Sequence, residues 1–174
     1  NSSTTANILV TTTDHFLSSG YIFIEDEVIE YTGKTANSFT GITRGIASST
    51  TAAHNAGVGV GLAQWATAGT VSTAYFGITD YSNGVSLTLP VSGAIKISNA
   101  GLYTIIFSAQ ILNASNVVDD AQMWITVNGN TVPYTMSRST VPTKHAGVPG
   151  AYIMTVNLFY EFAANDVLEV KWQN

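Results

Sequence analysis

Few residues in this chain have the types and spacing that chemistry requires. The densest acidic group is Glu25, Asp26, Glu27 and Glu30. Two carboxyls ~5–5.5 Å apart, one of them with a pKa raised by burial, would serve a retaining glycosidase. Here the acids fall between two apolar runs, residues 21–24 and 28–32, and so read as a hairpin tip. Alternation sends Glu25 and Glu27 to one side and Asp26 to the other. Such a tip is expected to be solvated, which leaves neither acid poised. Asp119-Asp120 could offer oxygens to calcium, but the spaced Asp-x-Asp-x-Asp-Gly pattern is absent, and the pair reads as a loop end or strand edge. His15, His54 and His145 are scattered, and none has a His-x-x-x-His partner. No Gly-x-Ser-x-Gly elbow is present to anchor a nucleophile. Gly57-Val58-Gly59-Val60-Gly61 lacks the spacing of a phosphate loop and reads as a strand with close backbone approach. The expectation is a protein with no catalytic, metal-binding or cofactor-binding residues, hence not an enzyme.

Recognition by aromatic rings is the chemistry that remains. Of 8 Tyr, 7 Phe and 3 Trp, most fall on alternating strand positions and are expected in the core. Trp65, Tyr75 and Tyr81 lie in or near a small-residue connector and are the candidates for surface recognition.

The elements that must position these groups are strands. Tyr103, Ile105, Phe107, Ala109 and Ile111 alternate along 101–112, and Tyr152, Met154, Val156, Leu158, Tyr160 and Phe162 along 151–162. Met123, Ile125 and Val127 do the same before the turn pair Asn128-Gly129. This period of two, rich in β-branched and aromatic residues and closed by Asn-Gly, is a strand and hairpin signature. No capped helical stripe is present. The chain is expected to be all-β. Short strands are expected at 8–10, 21–24, 28–32, 39–42 and 58–62, then a connector at 63–73. Longer ones follow at 84–89, 94–97, 101–112, 121–127, 131–137, 151–162 and 167–172. That change of texture places a small β module over residues 1–64 and an antiparallel jelly-roll sandwich over 65–174.

Composition narrows the partners. Of 174 residues 45% are hydrophobic and only 10% charged, well under the ~25% usual for soluble domains. Six Lys and Arg against eleven Asp and Glu give a net charge of −5. That balance argues against a nucleic-acid partner. No apolar stretch approaches the ~20 residues of a membrane span, so no membrane insertion is expected. The chain has no cysteine. Two of the longer strands also carry apolar residues on their second face: Leu102, Ile106 and Leu112 in one, Ile153 and Phe159 in the other. A monomeric sandwich strand normally shows one apolar and one polar face. The second apolar face points to cover by another subunit.

Two stretches carry a resemblance. Residues 20–57 include Glu27, Ile29, Tyr31, Thr32, Gly33, Lys34, Phe39, Thr40, Gly41, Thr43, Arg44, Gly45, Ala53, His54 and Gly57. This order resembles a small β module of tailed-bacteriophage virion proteins. In such a module Gly33, Gly41 and Gly45 take tight turns, Tyr31 and Phe39 form the core, Arg44 satisfies loop carbonyls or Glu27, and His54 packs or caps. The second region resembles the tumour-necrosis-factor-like jelly roll of complement globular heads. The marks are Gly101-x-Tyr103-x-Ile105-x-Phe107, Val127-Asn128-Gly129 and Asn165-Asp166-x-Leu168-Glu169-Val170-x-Trp172. This likeness implies a homotrimer, and a jelly roll lacking its last strand, because the family continues beyond the Trp run.

Together these imply a bacteriophage virion structural protein that forms a homotrimeric fibre or knob. The N-terminal module would attach to another capsid or tail protein. The jelly roll would face solvent for host attachment, binding a host surface glycan or protein, or for decoration. The competing expectations are a capsid cement protein without recognition and a glycan-degrading tailspike enzyme. A secreted cytokine-like ligand sits poorly with the N-terminal module.

Overall fold

The computed structural model describes residues 6–47, 49–64, 68–76, 82–88 and 93–174. The chain is all-β, and every strand pairing with an assigned register is antiparallel. It falls into two compact units: Asn1–Trp65 with Ala114–Val117 and Thr143–Gly150, and Ala66–Asn113, Val118–Pro142 and Ala151–Asn174.

The first unit is one five-stranded sheet. Its strands are β1 (Ile8–Leu9), β2 (Gly20–Ile24), β3 (Glu27–Thr35), β4 (Ser38–Ile46) and β5 (Gly61–Ala63), in the order β1-β4-β3-β2-β5. Ile22 pairs with Ile29 and Gly20 with Tyr31, so Ile22, Ile24, Ile29 and Tyr31 share one face. With Phe39 and Ile42 they form the core. Phe39 is held between the rings of Tyr31, 4.7 Å away, and Phe16, 4.9 Å away and edge-on. The segment before β2 is strapped across the long hairpin. The Lys34 ammonium donates to the carbonyls of Thr13 and Phe16, both at 2.6 Å, and the Tyr31 hydroxyl donates to that of Leu17 at 3.0 Å.

β3 runs on from the expected 32 to Thr35, and two further boundaries differ from the periodicity. β4 runs on from 42 to Ile46, because a bulge takes up one extra residue. Glu30 faces Thr43 but Val28 faces Ile46, and Gly45 takes φ 65°. Only a residue without Cβ does this cheaply. Residues 58–60, expected inside a strand, lie outside the ladder. Gly61 faces Phe23 and β2 ends at Ile24, so the preceding residues run past the end of their partner.

The second unit is a sandwich. Its strands are β6 (Ser72–Thr73), β7 (Val85–Leu87), β8 (Ala94–Ile97), β9 (Gly101–Asn113), β10 (Asp119–Val127), β11 (Asn130–Thr131), β12 (Ser137–Val141), β13 (Gly150–Phe162) and β14 (Val167–Gln173). One layer runs β11-β10-β14-β8-β7, with β12 also on β10 and β6 on β14; β9 and β13 form the other. Ala121, Met123, Ile125, Val127, Leu168 and Val170 from the first layer meet Met154, Val156 and Phe162 from the second. Tyr103, Ile105, Phe107, Ala109 and Ile111 pack beside them, as the alternation requires. Tyr152, in the same phase, is exposed instead. The strand expected at 131–137 is broken. Pro133 has no N–H for a ladder and Tyr134 turns to φ 62°, so β11 stops at Thr131 and β12 begins at Ser137.

Candidate functional site

The hairpin tip does not behave as one solvated acidic turn. Ile24 pairs with Glu27, so Glu25 and Asp26 alone form the turn, with Glu25 at φ 53°. Both are exposed. Glu27 occupies the first paired position of β3, in phase with Ile29 and Tyr31. Its side chain therefore enters the core and is 1% exposed. The expectation that all three acids are solvated fails here, and the reason is register: strand phase, not proximity to a turn, decides where a side chain points.

A carboxylate buried there needs partners. Arg44, on the same face of β4, gives Nε to Glu27 Oε1 at 2.9 Å and Nη2 to Oε2. The bulge aims the Gly45 amide at Oε1, 3.1 Å away, and the Ala52 amide reaches Oε2 at 3.2 Å. Arg44 Nη2 also donates to the Ala52 carbonyl. His54 closes the group. Its Nε2 lies 2.7 Å from Glu27 Oε2 and its Nδ1 2.7 Å from Glu25 Oε2. Burial pushes the Glu27 pKa up, but the hydrogen bonds from Arg44, His54 and Ala52 outweigh it and hold the carboxyl below its ordinary value.

This geometry fastens residues 44–54 to the hairpin tip. With N–H donors from Arg44, Gly45 and Ala52 and the His54 ring against it, the carboxylate is held as an anion. Beside the cluster lies an open cleft of about 850 Å³, bounded by residues 6–12 and 54–60 with Phe16, Ile24 and Arg44.

The other candidates are dispersed. Trp65 and Tyr81 lie outside the described residues. Tyr75 is 43% exposed. Asp120 accepts from Arg138 and from the Thr140 hydroxyl, and the Arg138 hydrogen bond chiefly holds its pKa below the usual value. Asp119 accepts from Asn174 at 3.3 Å. His15 and His145 are exposed, and the His145 backbone pairs with Val148. Among the described residues no group of three or more His, Cys, Asp or Glu is arranged to hold a metal. Gly57–Val60 border the cleft and lead into β5, which starts at Gly61, rather than into a helix.

Sequence analysis expected Arg44 on loop carbonyls or on Glu27, and both contacts are present; it missed the burial of Glu27 and the part His54 takes beside it. The available signal was the phase of Glu27 with Ile29 and Tyr31. It also missed Tyr134, a bulky residue at positive φ with its side chain fully in solvent. Its loop is pinned by Thr135, whose hydroxyl accepts from the Ile125 amide at 3.2 Å and donates to the Val132 carbonyl at 2.8 Å. Fold and site together define an all-β protein with a buried charged cluster at the tip of the β2–β3 hairpin. Compared with known proteins, the chain matches no family model and no curated sequence.

Proposed function

We propose that this chain is a non-enzymatic structural protein of a tailed-bacteriophage virion. In this reading the second unit assembles as a homotrimer and the first attaches it to another virion component. The resemblance in residues 20–57 and in the jelly-roll strands supports the virion setting. The observation that carries the assembly is the outer face of β9 and β13. Leu102, Ile106, Ile153 and Phe159 stand there 69–71% exposed, with Glu161 as the only charged residue among the outward positions. The outer face of the other layer carries Asp120, Arg138, Glu169, Lys171 and Lys96 instead. Burying an aliphatic or aromatic side chain contributes roughly 1.5–3 kcal/mol, so of the two outer faces the β9–β13 one gains more from a neighbour.

Sedimentation velocity at micromolar concentration is expected to give a trimer; a stable monomer overturns the assembly. Tyr134 favours attachment over cementing, since holding a non-glycine residue in the left-handed region costs roughly 1–2 kcal/mol and leaves its ring in water. Glycan-array binding lost in Tyr134→Ala and Tyr75→Ala supports the adhesin. Occupancy of a capsid lattice without such binding supports the cement protein. Depolymerase activity lost on substituting Glu25, Glu27, Asp119 or Asp120 would restore the tailspike reading.

A further inference from the structure

We propose that the first unit is an unfinished β-barrel whose gap takes up an extended segment of a partner polypeptide as an added strand. In the order β1-β4-β3-β2-β5, the strands β1 and β5 are the two edges of the sheet. The cleft of about 850 Å³ is walled on one side by residues 6–12, which contain β1. On the other side stand residues 54–60, which lead into β5. One edge strand and the segment leading into the other edge strand therefore border one opening.

Part of the backbone along each wall is left without a strand partner. Val10 donates its amide to Asn37, so by alternation the amides of Asn7, Leu9 and Thr11 point away from β4. Residues 55–59 pair with no strand, and Ala56-Gly57 form a turn. Natural sheet edges are normally guarded by Lys, Glu, Pro or a bulge. Residues 6–12 and 54–60 contain no Asp, Glu, Lys, Arg or Pro.

Side chains define the guest. Ile8, Val10, Val58 and Val60 lean on the core together with Phe16, while Gly57 and Gly59 have no atom within 4 Å of where a Cβ would stand. A seven-residue wall spans roughly 20 Å at strand rise, so the guest is about seven residues long, apolar at every second position. Glu25, with its side chain 52% exposed, and Asp26 lie at the His54 end, so that end of the guest carries Lys or Arg. This deepens the attachment reading and rests on it for the source of the partner.

The probe is a fluorescent peptide, Lys-Val-Thr-Val-Thr-Val-Thr, titrated into the full chain by anisotropy. Binding is expected, weakened by roughly tenfold or more when alternate peptide amides are N-methylated. The same loss is expected in Leu9→Pro, since proline is tolerated where an edge amide points outward. If Leu9→Pro does not fold, the methylated peptide decides alone. No binding at millimolar peptide, or binding indifferent to methylation, overturns strand addition. Release of monomers from an assembly by the peptide would assign the gap to a second copy and overturn a separate partner. Virions that lack the chain altogether would sink the attachment reading while leaving peptide binding intact.

Discussion

The two units fill their interiors by opposite means. In the second, the buried polar side chains among the described residues are Asn113, Thr126 and Thr135, and none of them is charged. In the first, Glu27 sits among Ile22, Ile24, Ile29, Tyr31, Phe39 and Ile42 with Arg44 beside it. The difference follows from what each must hold. The sandwich closes strand on strand, and period-two packing suffices. The small sheet must also fix residues 44–54, a segment with few large apolar side chains. It does so with a carboxylate on which Arg44, the Gly45 and Ala52 amides and the His54 ring converge. A buried ion pair adds little net stability over a well-packed apolar core, but it fixes geometry, and breaking it exposes the cost of an unpaired charge.

The sharpest way to break this contrast is Arg44→Met. Leaving Glu27 buried and unpaired is expected to cost about 3–5 kcal/mol. Hydrogen-exchange mass spectrometry should show faster exchange throughout residues 20–46 and unchanged protection in β10 and β14. Equal loss in both units would mean that they do not fold independently. The counterpart is Met123→Ala, at a fully buried position in the sandwich, expected to cost about 2–5 kcal/mol there and nothing in the first unit.

Acid separates the units next. The Glu27 pKa is lower in the folded protein than in the unfolded chain, so the folded state binds this proton less readily. Its contribution is complete above the unfolded value, near 4.5, and is lost as pH falls through the depressed folded value. The exchange rates of β3 and β4 should therefore rise below about pH 4.5, before those of β10 and β14. Glu27→Gln should flatten that dependence. A dependence unchanged in the variant would place the acid sensitivity elsewhere.

What the sequence disclosed follows the same division. The sandwich was legible because Tyr103 to Ile111 and Met154 to Phe162 state their faces by alternation alone. Its broken strand was less so, because 131–137 alternates well enough to mask Pro133. In the small unit the hairpins were visible, and so was Arg44 as a partner for Glu27, but the burial of Glu27 and the part of His54 were not. Arg44 and His54 lie 17 and 27 residues from Glu27 in the chain; they reach it through a register, a bulge and a returning segment, and only the first of these leaves a periodic trace. The acids were read by their distance from the turn, when their phase relative to Ile29 carried the information. The cleft depends on where β2 ends relative to 58–60, which no local pattern encodes.

The smallest expected effect on folding tests the remaining asymmetry, between the two outer faces of the sandwich. Ile106→Ser and Phe159→Ser replace side chains about 70% exposed. Each should change the stability of an isolated protomer by no more than about 0.5 kcal/mol. Arg138→Ser, on the other layer, removes a solvent-exposed pair with Asp120 and should be as mild. The three variants part company in self-association. A face covered by neighbours loses contact area with either β9–β13 substitution, so sedimentation velocity should show dissociation at lower dilution for Ile106→Ser and Phe159→Ser than for Arg138→Ser. If all three behave alike, the apolar face of β9 and β13 is simply surface. The trimer would then have to be built through some other part of the chain.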